Sequence, residues 1–210
     1  MFMLHRNIWK SNISLETKLR LYNICILPIF LYGAETWSVT ATLSIKIDTL
    51  DNWCLRRILN IHWTKLITND EVRFRTGQSF LSDTVRRRRL SFYGHLSHTD
   101  PWQDHYRALQ ACIMGPPVEW RRRTGQPRQT WLRTVETDLQ PMNLGLASAK
   151  RCAQDRAAWW QLVTTATSTT SPWRRRQYNG RLMLRLSGFS VMPGFHNSIA
   201  VLLLPFRSCR

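Results

Sequence analysis

Arginine is concentrated in two stretches of the sequence that also contain aromatic residues. Residues 86–95 hold four consecutive arginines followed by an aromatic pair, a glycine and a histidine, and residues 120–128 hold three consecutive arginines beside a tryptophan. Guanidinium groups match phosphate geometry and stack on bases, and basic residues mixed with aromatic ones are typical of nucleic-acid surfaces. We therefore predict nucleic-acid contacts from Arg86, Arg87, Arg88, Arg89, His95, Arg121, Arg122, Arg123 and Arg128.

The four consecutive arginines cannot all reach the same phosphate track. Successive residues of an α-helix point about 100° apart, so residues 86–89 spread around almost a full turn. Two or three of them can line a groove while another packs its stem or pairs with an acid. We favour Arg87 and Arg88 as contacts over Arg86 and Arg89. The competing interpretations are a solvated helix face for this run and a flexible basic loop for residues 121–128.

Three histidines and a cysteine raise the question of a zinc site. His95, His98, His105 and Cys112 could supply nitrogen and sulfur ligands in a stretch that is rich in loop residues. Their spacings of three, seven and seven residues match no recognised zinc finger. We therefore expect ordinary surface or packing histidines, and no zinc or other cofactor.

The carboxylates of the chain do not suggest catalysis. Nucleotide addition needs acidic residues that hold two metal ions roughly 4 Å apart, and the sequence contains no Asp-Asp dipeptide. Asp48 and Asp51 share a helix face, which we interpret as a solvated face near Lys46. No phosphate-binding or dinucleotide-type glycine pattern is present. We predict that the chain is not an enzyme on its own.

Charge and composition indicate the kind of partner. Among 210 residues, 30 are basic and 13 acidic, for a formal net charge of +17, and 43% are hydrophobic, enough for a core. Excess positive charge favours a polyanion, with an anionic membrane surface as the second candidate. The longest apolar stretch, residues 21–34, is too short for a membrane-spanning helix, and the start does not resemble a signal peptide. Five scattered cysteines without a Cys-x-x-Cys pair indicate a reducing compartment, nucleus or cytoplasm.

The periodicity of apolar residues predicts a mainly α fold with helical segments before and after a loop-rich basic connector. We expect a frayed start over residues 1–13 and a polar linker with a disordered basic tail over residues 167–210. Pro28 should kink or shorten the first helix, and Gly33 should end it. Within this helix, Lys18 should lie away from most of the apolar residues. The predicted helices cover about residues 15–32, 43–61, 70–75, 84–97, 105–113, 127–140 and 147–165, with N-caps at Ser14, Thr42, Asn69 and Ser82 or Asp83.

Four blocks of residues, in this order, resemble the C-terminal part of non-LTR (LINE-type) retrotransposon proteins, the endonuclease–reverse transcriptase polyproteins. Together the blocks span residues 18–163. One departure is Gln126, which stands where the family usually has arginine, and the tail matches nothing in the family. The blocks are Lys18–Tyr22 through Pro28 to Leu31–Trp37, with Leu55–Leu59 after it; Arg87–Leu96; Arg121–Trp131; and Ala153–Trp159.

This resemblance implies the thumb of a reverse transcriptase and the region beyond it. Residues 1–78 would be the thumb-like helical bundle, residues 79–166 a basic post-thumb region, and residues 167–210 a linker and tail. Such a region grips RNA or the RNA/DNA template–primer duplex, or a DNA duplex, and Arg56 and Arg57 join the predicted contacts on that basis. The parent polyprotein is an RNA-directed DNA polymerase whose magnesium ions belong to the missing polymerase domain. The rest of that polyprotein is a second expected partner.

Two other kinds of function stay open. The chain could be a basic helical module that binds another protein or a membrane surface, although its first helix has few basic residues for the latter. It could also be a degenerate retroelement copy without a function.

Overall fold

Helices account for the regular structure of the chain, as predicted. The computed structural model describes residues 4–62, 64–115, 119, 125 and 129–168, without the side chains of residues 5, 6 and 168, and within these ranges no strand occurs. The described residues belong to one compact unit, Met1–Thr169. The α-helices are α1 (Leu15–Leu21), α2 (Leu27–Phe30), α3 (Ala41–Ile58), α4 (Asn69–Thr76), α5 (Leu81–His98), α6 (Asp104–Met114), α7 (Trp131–Leu139), α8 (Leu146–Cys152) and α9 (Arg156–Ser168).

The first helical segment has the predicted cap but a different start. Ser14 accepts a hydrogen bond from the Thr17 amide, and a π-helix, Tyr22–Ile26, joins α1 to α2. The predicted fraying of residues 1–13 is wrong for the described part, because His5–Trp9 is a π-helix and Trp9 is buried. Lys18 is also buried, since its ammonium group donates to the carbonyl oxygens of Trp9 at 3.0 Å and Ser11 at 2.8 Å.

Gly33 ends this first segment for a conformational reason. Its φ of 63° lies in the left-handed region, where glycine has no Cβ to clash. The 3₁₀ turn Ala34–Thr36 follows and leads the chain toward α3. The cap of α3 is Thr40, two residues before the predicted one, and its hydroxyl accepts from the Leu43 amide.

Asp48 and Asp51 of α3 are both buried, at 3% exposure, so the prediction of a solvated face is wrong. Asp48 caps the start of α5, because its carboxylate accepts from the amide of Ser82 at 3.0 Å and from its hydroxyl at 2.8 Å. An anion suits that position, where helix amides point outward without partners. Asp51 pairs with Arg73 of α4 at 2.6 Å and accepts from the Tyr22 hydroxyl at 2.5 Å.

Helix α5 lies at the centre of the fold. It packs against α3, α6, α7, α9 and the 3₁₀ turn Ala34–Thr36. Leu90 and Tyr93 of α5 are fully buried, together with Val135 and Leu139 of α7. Because α5 contacts elements on both sides of residue 78 in the chain, it connects the two predicted regions, and the boundary at residue 78 stays a prediction.

The last predicted helix, residues 147–165, is two helices. The chain turns at Ala153–Asp155, and the Asp155 carboxylate accepts from the amides of Ala157 at 2.9 Å and Ala158 at 3.2 Å. This is the N-cap pattern that aspartate favours.

Helix α6 lies within one residue of the predicted 105–113 at each end, and α7 is capped by Thr130. The predicted disordered tail falls outside the described residues from 169 onward.

Candidate nucleic-acid interface

Helix α5 has two faces that differ in exposure. Arg87, Arg88, Ser91 and His95 are exposed and lie at helical spacing along one side, which we call the exposed face. Arg86 and Arg89, with Leu90 and Tyr93, are buried on the inward face. The run of four arginines is therefore split two and two, as the geometry of a helix requires.

The inward arginines share one acid, Asp138 of α7. Arg89 binds the Asp138 carboxylate through Nε at 2.7 Å and Nη2 at 2.6 Å, and donates from Nη1 to the Trp37 carbonyl oxygen. Arg86 lies 3.6 Å from the same carboxylate and donates to the Asp138 carbonyl oxygen. Burial raises the pKa of Asp138, and the two guanidinium groups oppose that rise. Arg86 and Arg89 therefore serve the fold, and we remove them from the predicted contacts.

Arg87 and Arg88, the outward arginines, each donate one hydrogen bond to another residue of the described structure. Arg87 Nε donates to the Thr167 hydroxyl at 3.1 Å, and Arg88 Nη1 donates to the Leu31 carbonyl oxygen at 3.0 Å. A guanidinium group has five N–H donors, and both side chains are exposed. The bonds orient the two cations, and most of their remaining donors can reach an anion from solvent.

A shallow depression of about 440 Å³ opens beside the exposed face. It is lined by Glu35, Arg87, Arg88, Ser91 and Phe92. Phe92 is half-buried on this surface. Aromatic, basic and acidic groups therefore meet on one surface.

Trp131 holds the aromatic side of this depression in place. Its ring meets Phe92 edge to face, with centroids 5.9 Å apart, and its indole N–H donates to the Glu35 carbonyl oxygen at 2.8 Å. Edge-to-face pairs are a favoured aromatic geometry. Trp131, which is half-buried, thus links the Phe92 ring to the backbone of Glu35.

Gly94 is required where α9 crosses α5. A Cβ atom at this position would lie 2.2 Å from the indole nitrogen of Trp159 and 2.5 Å from its Cδ1. The close approach lets that indole N–H donate to the Leu90 carbonyl oxygen at 3.2 Å. The glycine that follows the aromatic pair is therefore a packing residue, and not part of the exposed face.

Arg56 and Arg57 lie on α3 and line no part of the depression. Arg56 is half-buried and donates to the Ile67 carbonyl oxygen and to the Asn69 side chain at 3.1 Å. The Arg57 guanidinium stacks over the Trp53 ring, 4.9 Å from its centroid. Both arginines thus have contacts within the fold that the sequence prediction did not anticipate. Arg121, Arg122, Arg123 and Arg128 fall outside the described residues.

The zinc candidates do not form a cluster. No group of three or more metal-binding side chains occurs among the residues that the structure describes. Burial lowers the pKa of His98, nearby Arg156 and His95 lower it further, and Asp155 opposes the shift. Cys112 and His105 are exposed on α6.

Three residues around the arginine run were not among the predicted sites. Asp138 binds the inward arginine Arg89, which lies 49 residues before it in the chain. Thr167 binds the outward arginine Arg87, which lies 80 residues before it. Glu35 lines the depression. Its one sequence signal was its place in the block at residues 31–37, which carries part of the retrotransposon resemblance.

Within the described ranges, none of the helices combines the length and apolar character that crossing a membrane would require. The four described cysteines, Cys25, Cys54, Cys112 and Cys152, are free thiols.

Neither protein-family models, nor curated proteins, nor solved structures give a match to this chain. The interpretation of the site therefore depends on its residues and their geometry.

Proposed function

We propose that this chain is a non-catalytic nucleic-acid-binding region that holds RNA, an RNA/DNA duplex or a DNA duplex through phosphate contacts. The observation that carries this proposal is the exposed face of α5. There Arg87 and Arg88 are oriented by hydrogen bonds to Thr167 and Leu31 while both side chains remain exposed. A chain with a net charge of +17 would also attract a polyanion from a distance.

Backbone recognition suits this surface better than reading of base pairs. Phosphate contacts fix position and carry no sequence information directly, whereas side chains must enter a groove to read base pairs. Arg87 and Arg88 are adjacent on a helix that packs against five neighbouring elements, so most of its surface is covered within the fold. We expect strong dependence on salt and little dependence on sequence.

We further propose that the chain derives from the thumb and post-thumb region of a non-LTR retrotransposon reverse transcriptase. In support, the blocks that suggested this origin pack on one another. Arg88 binds Leu31, Trp131 binds Glu35, and Gly94 accommodates Trp159. Residues that recur together in such a family would then be retained because together they hold one structure. The protein would be located in the nucleus or cytoplasm with the rest of its polyprotein.

A second candidate function, contact with another protein, has its own supporting observation. Ile29 and Tyr32, at the end of the first helical segment, are 79% and 87% exposed, and Ile24 is 61% exposed. Large exposed apolar side chains along one helical segment are candidate contacts for a protein partner. The rest of the proposed polyprotein is the expected partner. Co-purification with a polymerase segment encoded in frame beside this chain, lost on Ile29→Glu and Tyr32→Glu, would support it.

Binding measured against salt tests the proposed function. RNA, RNA/DNA and DNA duplexes of equal length would be titrated with the full chain and with a chain that ends at residue 168. Ending there keeps Thr167, which orients Arg87, and removes the last seven arginines of the sequence. We expect the shorter chain to bind more weakly but still with a steep salt slope. Complete loss of binding on truncation would place the activity in the tail and contradict the role of α5.

The second basic stretch gives a separate prediction. Replacing Arg121, Arg122 and Arg123 with alanine should weaken binding and flatten the slope of log affinity against log salt by up to about three units, because each phosphate contact releases about one counterion. Unchanged affinity and slope would exclude these three arginines as contacts.

A further inference from the structure

The depression beside the exposed face of α5 contains more chemistry than phosphate binding uses. Arg87 and Arg88 supply cations, Phe92 supplies an aromatic ring, and Glu35 and Ser91 supply oxygen atoms. Contact with a duplex backbone would use neither the aromatic ring of Phe92 nor the carboxylate of Glu35.

We propose that this depression takes one unpaired nucleotide, an inference that rests on the proposed nucleic-acid function. The phosphate of that nucleotide would lie on Arg87 and Arg88, and its base would lie against Phe92. A base inside a duplex is stacked on both sides and offers only its edge, whereas an unpaired base can stack on an aromatic side chain. The preferred ligand is therefore a duplex with a single-stranded end, or a single strand.

The groups around the depression are held before any ligand arrives. The Phe92 ring contacts Trp131, and Trp131 is hydrogen-bonded to the backbone of Glu35. Arg87 and Arg88 are hydrogen-bonded to α9 and to the residue after α2, respectively. Side chains that are already ordered lose less conformational entropy on binding. A surface that needed only positive charge would not require this arrangement.

Glu35 gives the site a chemical preference among bases. A carboxylate accepts hydrogen bonds from exocyclic amino groups, such as N4 of cytosine, and would repel the carbonyl oxygen that uracil has at the same position. Glu35 is half-buried and lines the depression, so its carboxylate is the acid available to a bound base. We expect an unpaired cytosine to bind more tightly than an unpaired uracil, by about fivefold.

Fluorescence anisotropy on matched ligands tests the proposal. One RNA/DNA duplex would be prepared blunt and with a short cytosine or uracil overhang, at fixed salt. The wild-type chain should bind the cytosine overhang at least about fivefold more tightly than the blunt duplex, the gain expected from one stacked base. Phe92→Leu should bring the ratio of overhang affinity to blunt-duplex affinity close to one, and Glu35→Gln should remove the preference for cytosine over uracil. Arg87→Gln with Arg88→Gln should weaken every ligand.

A measurement on the unaltered chain guards against a Phe92 variant that fails to fold. 2-Aminopurine placed in the overhang should lose fluorescence on binding, because stacking quenches it, while the same base at an internal paired position should change little. Equal binding of blunt and overhanging duplexes, or an unquenched overhang, would overturn the unpaired-nucleotide site and leave backbone binding intact. Absence of binding to all the ligands would overturn the proposed function and this inference with it.

Discussion

The two faces of α5 place the same residue type in opposite surroundings. Arg86 and Arg89 are 8% and 4% exposed and share the carboxylate of Asp138. Arg87 and Arg88 are exposed, and their described partners are a hydroxyl and a backbone carbonyl oxygen. Neighbours in sequence thus have different electrostatic environments, set by a rotation of about 100° per residue.

The difference separates stability from binding. A buried guanidinium group must have its charge compensated, because removal from water costs several kcal/mol. Arg89 is compensated, so its loss would leave a carboxylate with one fewer partner. An exposed guanidinium group is stabilised by water, and a neutral partner orients it without cancelling its charge. The outward pair is therefore the one that can attract phosphate.

The largest effect is expected from the inward face. Arg89→Met should lower the free energy of unfolding by about 3 kcal/mol, since it removes the closest partner of the buried Asp138 carboxylate and leaves only Arg86, at 3.6 Å, to compensate it. Arg88→Met, the matched change on the exposed face, removes one hydrogen bond and should cost no more than about 1 kcal/mol. Denaturant unfolding of the two variants measures both values.

A triple variant sharpens this test. Asp138→Leu alone leaves the buried guanidinium groups of Arg86 and Arg89 without their acid, whereas Asp138→Leu with Arg86→Met and Arg89→Met removes all three charges. The triple variant should therefore be less destabilised than Asp138→Leu alone. Equal or greater loss of stability in the triple variant would mean that Asp138 does not compensate the two arginines. Equal losses for the Arg88 and Arg89 variants would remove the distinction between the two faces.

A smaller effect is expected where α9 crosses α5. Gly94→Ala places a Cβ 2.2 Å from the Trp159 indole nitrogen, and such overpacking typically costs about 1–3 kcal/mol. Gly145→Ala is a suitable control, because no atom lies within 4 Å of a Cβ there and φ is −86°. Thermal unfolding of the pair should show a clearly lower Tm for the Gly94 variant only. Similar Tm values would contradict the contact with Trp159.

Alkaline pH provides a third test of the inward face. Burial raises the pKa of Tyr93 to about 12, and its hydroxyl donates to the Leu146 carbonyl oxygen. Between pH 10 and 12 the unfolded chain loses this proton while the folded chain keeps it, so stability falls as pH rises. Tyr93→Phe should reduce that slope by up to about 1.4 kcal/mol per pH unit. An unchanged slope in unfolding measured over pH 10–12 would show that Tyr93 does not contribute.

The sequence was sufficient to predict the helices and the division of the arginine run. The spacing of apolar residues predicted the bounds of most helices to within a few residues. Four consecutive arginines at 100° steps around a helix had to point in different directions. The sequence showed the capping residue Ser14. Asp155 carries the same kind of N-cap signal, but we predicted one continuous helix across it, and the structure breaks the helix there.

The partners of buried charges could not be predicted from the sequence. Asp48 and Asp51 were assigned to a solvated face because acids are usually exposed, yet they bind Ser82, Arg73 and Tyr22, up to 34 residues away. Asp138 lies 49 residues from Arg89. Only the packing of α3, α4, α5, α7 and the π-helix Tyr22–Ile26 brings these groups together, and no local pattern encodes it. For the same reason, the depression lined by Glu35 and Phe92 was not foreseen.

The smallest change in stability and the most informative change in binding are expected from the exposed face. Arg87→Gln with Arg88→Gln removes two cations from the proposed phosphate contacts. Arg20→Gln with Arg107→Gln removes two exposed arginines elsewhere, from α1 and α6, and so changes the net charge equally. Any difference between the two variants reports the position of the charge and not its amount.

The most direct test of the central claim is the slope of log affinity against log salt for these two variants and the wild-type chain, on one RNA/DNA duplex. We predict that the Arg87/Arg88 variant unfolds like the wild type and loses up to about two units of slope, one for each phosphate contact. The Arg20/Arg107 variant should keep the wild-type slope. Equal slopes for all three proteins would contradict the assignment of nucleic-acid binding to the exposed face of α5.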